Sequence, residues 1–178
     1  MAVPAWREQP IGKSHDRKGF DCGQDELNTF IAQYARQAHE GGSAKTYCAI
    51  DVADGKTIFG FYTISPGQVE MHQVPLAARP PGGGRHAFSG FRLARLAVAK
   101  AYQGQQLGGR LLARAIGRCK KVSTEVGGTA LLIDAKDEQG AAWYSLYGAA
   151  PLDDRPLSLV ITYAEFNEAR VAAGLSPL

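Results

Sequence analysis

The sequence predicts an α/β domain, a mixed sheet with helices around it, and three observations carry that reading. Short apolar runs alternate with segments of helical periodicity along most of the chain. A glycine-rich turn, Tyr102-Gln-Gly-Gln-Gln-Leu-Gly-Gly-Arg110, joins a strand-like run, Leu93-Ala-Arg-Leu-Ala-Val98, to a helix-like one, Leu111-Leu-Ala-Arg-Ala-Ile116. At 178 residues, with 45% hydrophobic and 21% charged residues, the chain has the size and composition of one globular domain, 1–178, with an ample core.

Each element follows from local signals. The first helix is expected from Gln24 to about His39. Asp21 or Cys22 precedes it, Asp25 and Glu26 suit its positive end, and Gly41-Gly42 stops it. Leu27, Phe30, Ile31, Tyr34 and Ala38 recur at helical spacing and give it one buried face. Thr46–Asp51 and Thr57–Ser65 read as strands, with Asp54-Gly55 between them as a hairpin signal. Val74–Gly84 is rich in proline and glycine and reads as a loop. After the strand Leu93–Val98 and the glycine turn, Leu107, Leu111, Leu112, Ala115 and Ile116 mark an amphipathic helix to about Glu125. Thr129–Asp134 is a short buried strand, and Gly140–Tyr147 a short helix ended by Gly148. Leu157–Thr162 is a last strand and Tyr163–Ala173 a last helix.

Composition narrows the setting. No apolar run reaches membrane-spanning length, and Met1-Ala-Val-Pro-Ala-Trp-Arg-Glu8 has no signal-peptide core. Cys22, Cys48 and Cys119 are scattered without metal spacing, which points to reduced thiols. A cytoplasmic protein with no metal and no membrane association is the expectation. Cys119 lies beside Arg118, Lys120 and Lys121, a setting that lowers a thiol pKa. The net charge of +3 is too small to demand an anionic partner. Its distribution says more: Lys13, His15, Arg17 and Lys18 cluster before the first helix, and Arg79, Arg85, His86, Arg92 and Arg95 fall around the central loop and the strand after it. Such clusters suit phosphates, and suit solvated faces equally well.

The glycine turn has the outline of a phosphate site. A strand followed by glycines and a helix start presents free backbone N–H groups to one point, at the positive end of a helix dipole. Small residues let a pyrophosphate approach the backbone. The spacing departs from the two commonest phosphate loops. A P-loop needs Lys-Ser or Lys-Thr after its last glycine, where this chain has Arg110-Leu111. A dinucleotide fold needs its glycines after the first strand, and this turn lies past mid-chain.

The turn resembles the acyl-CoA pyrophosphate loop of GNAT acetyltransferases, Gln/Arg-x-x-Gly-x-Gly/Ala. Gln103, Gly104, Gln105, Leu107 and Gly108 fit that frame, and Gln106 stands where the family has its first glycine. A helix-start position with negative φ tolerates a side chain, so Gln106 is expected to be accommodated. Three further segments resemble the GNAT toxins of bacterial toxin–antitoxin modules: Phe20-Asp-Cys-Gly23 with Leu27-Asn-Thr-Phe30, then Gly60-Phe-Tyr-Thr-Ile-Ser65, then Asp134-Ala-Lys-Asp137 with Ala142-Trp-Tyr144, Tyr147-Gly148 and Pro151. Asp154-Arg-Pro-Leu157 is also typical of them, and the resemblance runs roughly from Gly12 to Thr162. Trp143 and Tyr147 replace phenylalanines, and Ala149 replaces an aromatic residue.

The resemblance implies a GNAT fold, a mixed and mostly antiparallel sheet flanked by helices, with acetyl-CoA as co-substrate and direct transfer to a primary amine. It implies that Leu96, Ala97 and Val98 offer backbone groups to the pantetheine arm and thioester carbonyl. It implies too that Gln103, Gly104, Gln105, Gln106, Leu107, Gly108, Gly109 and Arg110 hold the pyrophosphate. Tyr144 matches the family's tyrosine beside the thioester sulfur. A phenol with a pKa of about 10 stays protonated at neutral pH and can donate to a leaving thiolate. Packing on a helix face is the competing role for Tyr144. Asp134 and Lys136 suit a salt-bridged structural role as well as a cleft.

Glu70, His72 and His86 are possible bases, and none stands out. A lysine amine, pKa about 10.4, needs a base, whereas an esterified α-amino group, below about 8, does not. An aminoacyl-tRNA fits, with Lys13, Arg17, Lys18, Arg85, Arg92 and Arg95 as candidates to hold its phosphates. Three functions stay open at this point: a toxin acetylating aminoacyl-tRNA, with a ribbon-helix-helix antitoxin as partner and a homodimer as assembly; an acetyltransferase of a small amine or protein N-terminus; or a weakly active GNAT-fold binding module that represses DNA with its antitoxin.

Overall fold

The computed structural model describes residues 2–82 and 87–178. Seven strands form one sheet in the order β1-β2-β3-β4-β5-β7-β6. They are β1 (Trp6–Pro10), β2 (Lys45–Asp51), β3 (Ile58–Val69), β4 (Phe88–Val98), β5 (Ala130–Asp134), β6 (Ala150–Leu152) and β7 (Arg155–Thr162). β4 and β5 are parallel, while the β1–β2, β2–β3, β5–β7 and β6–β7 pairs are antiparallel. The helices are α1 (Asp25–Thr29), α2 (Ala35–Gly41), α3 (Leu107–Val126), α4 (Glu138–Ser145) and α5 (Tyr163–Ala172). Among the described residues no helix is long and apolar enough to cross a membrane.

The chain divides into two compact units, one up to Ser65 together with Ala94–Ala115, the other Pro66–Leu93 with Ile116–Leu178. In the first unit, Phe20 and Phe30 pack on Phe61 with ring centroids 5.3 and 6.2 Å apart, and Ile31, Cys48, Ile50 and Ala97 complete that core. Gly60 explains the glycine that opens the Gly60–Ser65 segment. A Cβ there would stand 2.8 Å from the Ala97 carbonyl oxygen and 2.8 Å from Leu111 Cδ1, so no side chain fits.

The first helix differs from the expected one. Between α1 and α2 the chain makes a π-helical stretch, Phe30–Tyr34, closed by a bond from the Ala35 N–H to the Phe30 carbonyl. The extra residue in that turn rotates everything after it. Tyr34, expected on the buried face, is 55% exposed, and Ala35 is buried in its place. Residue periodicity counted at 3.6 per turn cannot reveal such an insertion.

In the second unit, Met71, Val74, Phe88, Leu132, Leu152 and Val160 form a core. The stretch expected as loop from Val74 holds one short 3-10 turn, Leu76–Ala78, and another, Met71–Gln73, precedes it. β1 and β6 were not expected, and both lie at the sheet's edges. α4 starts earlier than expected because the Asp137 side chain accepts from the Gly140 N–H at 2.8 Å and caps it. Gly148 ends the segment as expected, at φ 95.

Candidate active site

The glycine turn is built as a helix start. After β4 a 3-10 turn spans Lys100–Tyr102, and α3 begins at Leu107. The Arg110 N–H bonds the Gln106 carbonyl at 3.2 Å and opens the helical ladder. The N–H groups of Leu107, Gly108 and Gly109 precede that ladder and have no intrahelical acceptor, at the positive end of a 20-residue helix. No acidic residue occupies its first turn. A Cβ on Gly104, at φ 72, would meet nothing within 4 Å. These residues fit a pyrophosphate.

Two expectations for this turn need correcting. The Arg110 N–H belongs to the helix ladder, and its guanidinium lies 4.9 Å over the Trp6 ring, so Arg110 is not one of the free backbone donors. Gln106 does not have the negative φ expected of it. It sits at φ 63, the one non-glycine residue at positive φ among those described. That conformation suits the glycine found there in the family and costs a side chain about 1–2 kcal/mol. Gln106→Gly relieves the strain but adds about 0.4–1 kcal/mol of unfolded-chain entropy. The net expectation is a gain of about 0.5–1 kcal/mol, read from the denaturant midpoint. A bulky residue at Gly108, inside the free N–H set, is expected to weaken acetyl-CoA binding far more than this change.

The Phe20–Gly23 segment anchors the turn. The Gln103 side-chain amide donates to the Cys22 and Val98 carbonyls, both at 2.9 Å. Lys100 Nζ donates to Asp21 Oδ2 at 2.8 Å, and the Lys100 N–H to the Asp21 carbonyl at 2.9 Å. Asp21 Oδ1 also accepts from the Gly23 N–H and the Asn28 amide. The Lys100, Gly23 and Asn28 hydrogen bonds hold the Asp21 carboxyl down at about 2. Sequence reading missed this role of Asp21 with Lys100, because the two stand 79 residues apart, and missed the Asn28 contact seven residues on.

β4 supplies a second feature. Its ladder to β5 runs through Phe91–Leu131, Arg92–Leu132 and Leu93–Ile133 and stops there. From Ala94 to Val98, including Leu96 and Ala97, that edge carries main-chain groups with no β5 partner among the described residues. An extended arm with amide groups can pair with such an edge.

Tyr144 lies in the last turn of α4, half-buried, with the Trp143 ring 4.9 Å away edge-on. Burial pushes its phenol up to about 12, so it is neutral at every physiological pH. Tyr147 packs on Trp143 at 4.8 Å. Burial also pushes Cys48, Cys119 and Tyr163 up to about 12. For Cys119 this reverses the expectation: the thiol is 1% exposed, and desolvation outweighs Arg118. Raised folded pKa values stabilise the protein below the unfolded values, near 9 for cysteine and 10 for tyrosine. That contribution is lost as pH climbs towards 12. The thermal midpoint is therefore expected to hold to about pH 8.5 and then fall, measurable by melting at stepped pH.

The candidate cations have different partners. Arg17 Nη1 donates to the Ala32 carbonyl at 3.0 Å, and the Arg95 guanidinium stacks 3.9 Å over Phe30, so both brace the π-helical stretch. Arg92 pairs with Asp134, which also accepts from Ser158 Oγ at 2.8 Å. Arg79 donates to the Val74 and His72 carbonyls. His15 drops out of the basic cluster: it is buried, and burial with Arg17 and Arg7 lowers its pKa. Lys13 and Lys18 are exposed. Arg85 and His86 lie outside the described residues. Glu70, a candidate base, caps the Met71–Gln73 turn.

Comparison with known proteins fits this geometry. A tRNA-acetylating toxin of Mycobacterium tuberculosis is 28% identical over 164 residues, 92% of this chain and 94% of that protein. The solved complex of AtaT with acetyl-methionyl-tRNAfMet superposes with a TM-score of 0.84 at 22% identity, over 90% of this chain and 96% of that one. A tyrosine-to-phenylalanine mutant of AtaT, bound to the C-terminus of the antitoxin AtaR and acetyl-CoA, superposes with a TM-score of 0.76 at 20% identity, over 94% and 98% of the two chains. The pattern of the acetyltransferase (GNAT) family matches residues 13–149, and the chain belongs to that family.

Proposed function

We propose that the chain transfers the acetyl group of acetyl-CoA to the α-amino group of an aminoacyl-tRNA, as the toxin of a toxin–antitoxin pair. One observation carries the transferase chemistry: the free N–H groups of Leu107, Gly108 and Gly109 directly follow a strand whose edge is open from Ala94 to Val98. The acceptor rests on the match, over nearly the whole chain, to a tRNA-acetylating toxin.

The steps follow from the groups at hand. The pyrophosphate sits on the helix start and the pantetheine arm on the β4 edge. The neutral α-amine attacks the thioester carbon, and a main-chain N–H of that edge meets the charge that develops on oxygen. The new C–N bond forms as the C–S bond breaks. The leaving thiolate takes the Tyr144 proton, and a proton from the acylated ammonium restores the phenol through water. No dedicated base is needed, because an esterified α-amine is largely neutral near pH 8.

Residues 1–178 work as one domain in this reading, in the cytoplasm where charged tRNA is found. A ribbon-helix-helix antitoxin is the partner and a homodimer the assembly. Support for an antitoxin comes from AtaT, solved with the C-terminus of AtaR. The test is labelled acetyl transfer to charged tRNA, beside free amino acids, polyamines and peptides. Transfer to a small amine or peptide, with none to charged tRNA, rejects the acceptor and leaves the fold intact.

A further inference from the structure

Two cations of α3 have no part in the steps above. Arg110 and Arg114 stand one helical turn apart and are both exposed. Both meet one ring: the Arg110 guanidinium carbon lies 4.9 Å, and that of Arg114 5.9 Å, from the centroid of the half-buried Trp6 indole on β1. Trp6, Arg110, Arg114 and the free N–H groups of Leu107, Gly108 and Gly109 all belong to the first unit. We infer that Arg110 and Arg114 hold the 3′-phosphate on the ribose of acetyl-CoA and so select the cofactor against its dephosphorylated form; the inference rests on the pyrophosphate lying at the start of α3.

The indole orders the two side chains and leaves them donors to spare. Attraction to a ring face fixes where a guanidinium stands, and each arginine carries five N–H groups. Neither side chain makes an ion pair among the described residues. Like charges at i and i+4 repel, and an anion set between them removes that cost. The protein supplies none nearby on the helix, whose first turn holds no acidic residue. Glu8, the acid next after Trp6 on that face of β1, accepts from the Tyr62 hydroxyl at 2.9 Å.

Charge decides which anion fits. A phosphate monoester carries about −1.5 to −2 at pH 7 and presents three strong acceptor oxygens, which suits two guanidiniums. A tRNA phosphodiester carries a single charge, which suits one. Acetyl-CoA has one monoester, at the ribose 3′ position, on the adenosine side of its pyrophosphate. Position on α3 agrees. Helix side chains lean towards the N-terminus, so Arg110 and Arg114 reach back to the start of α3. Arg110 directly follows Gly109, the last of the free N–H groups, and Arg114 is about 6 Å further along the axis. The 3′-phosphate is only a few bonds from the pyrophosphate, within the span of such side chains. The main-chain groups thus take what the two forms of the cofactor share, and the guanidiniums take what differs.

The experiment titrates acetyl-CoA and acetyl-dephospho-CoA, which lacks only the 3′-phosphate, into the full chain by calorimetry, and repeats both titrations with the double change Arg110→Gln and Arg114→Gln. The wild type is expected to bind acetyl-dephospho-CoA about 10- to 100-fold more weakly, the loss that goes with charge-assisted hydrogen bonds. The double variant is expected to bind both cofactors alike, at the wild-type affinity for the dephospho form. The wild-type ratio needs no variant, so it stands whether or not the double variant folds. A wild-type ratio near 1 overturns the inference, and so does a ratio that the double variant leaves unchanged. A wild-type ratio near 1 together with weaker charged-tRNA binding by the double variant gives the two arginines to tRNA instead. No binding of either cofactor by the wild type overturns the pyrophosphate placement, and this inference with it.

Discussion

Tyr144→Phe is expected to lower turnover on charged tRNA by about two to four orders of magnitude, with fold and acetyl-CoA affinity retained. The change removes one oxygen from a side chain whose ring keeps its contact with Trp143. A proton stabilises the departing CoA thiolate, and the Tyr144 phenol is the proposed donor. Burial makes that donor available at any physiological pH, because a phenol pushed up to about 12 is never appreciably ionised there. The sign of the pH dependence follows. For the wild type, kcat/KM should rise as the acceptor amine loses its proton, and loss of the Tyr144 proton should not bend the profile down until pH nears 12. Single-turnover rates and acetyl-CoA titration separate the two parameters. Near wild-type turnover in Tyr144→Phe assigns Tyr144 to packing alone.

Much of this was legible in the sequence where the physics is local. The strand, glycine turn and helix of 93–126 follow from apolar runs and from what a helix start requires. The capping and glycine signals at Gly41-Gly42, Asp54-Gly55 and Gly148 each found their turn. The failures come from effects that no local pattern carries. The π-helical stretch at Phe30–Tyr34 shifts a face by one residue and puts Tyr34 outside. β1, only five residues and ending in Pro10, takes its strand form from pairing with β2. The charged neighbours of Cys119 favour a lowered thiol pKa, yet its helix face turns it inward, and desolvation wins over a nearby guanidinium. For Arg17 and Arg95 the sequence shows the charge but not the carbonyl and the ring they also contact.

The contacts of the arginines redistribute the electrostatics of tRNA binding and set a second large effect. Arg17, Arg79, Arg92 and Arg95 are each held by a carbonyl, a carboxylate or a ring. Lys13 and Lys18 are exposed, make no ion pair among the described residues, and are free to follow a phosphate chain. Each phosphate neutralised releases condensed counterions, so affinity falls with a log–log slope of about 0.9 per phosphate. If three phosphates are held, raising salt from about 50 to 200 mM should weaken tRNA binding about 40-fold. The double change Lys13→Ala with Lys18→Ala should flatten that slope by about 2 and raise the KM for tRNA, with a far smaller change in acetyl-CoA affinity. Filter binding across a salt series measures the slope, and calorimetry the cofactor. An unchanged slope in the double variant moves the phosphate contacts to the arginines. In that case Arg95 and Arg17 act through the N–H donors that the Phe30 ring and the Ala32 carbonyl leave open, because a guanidinium carries five of them.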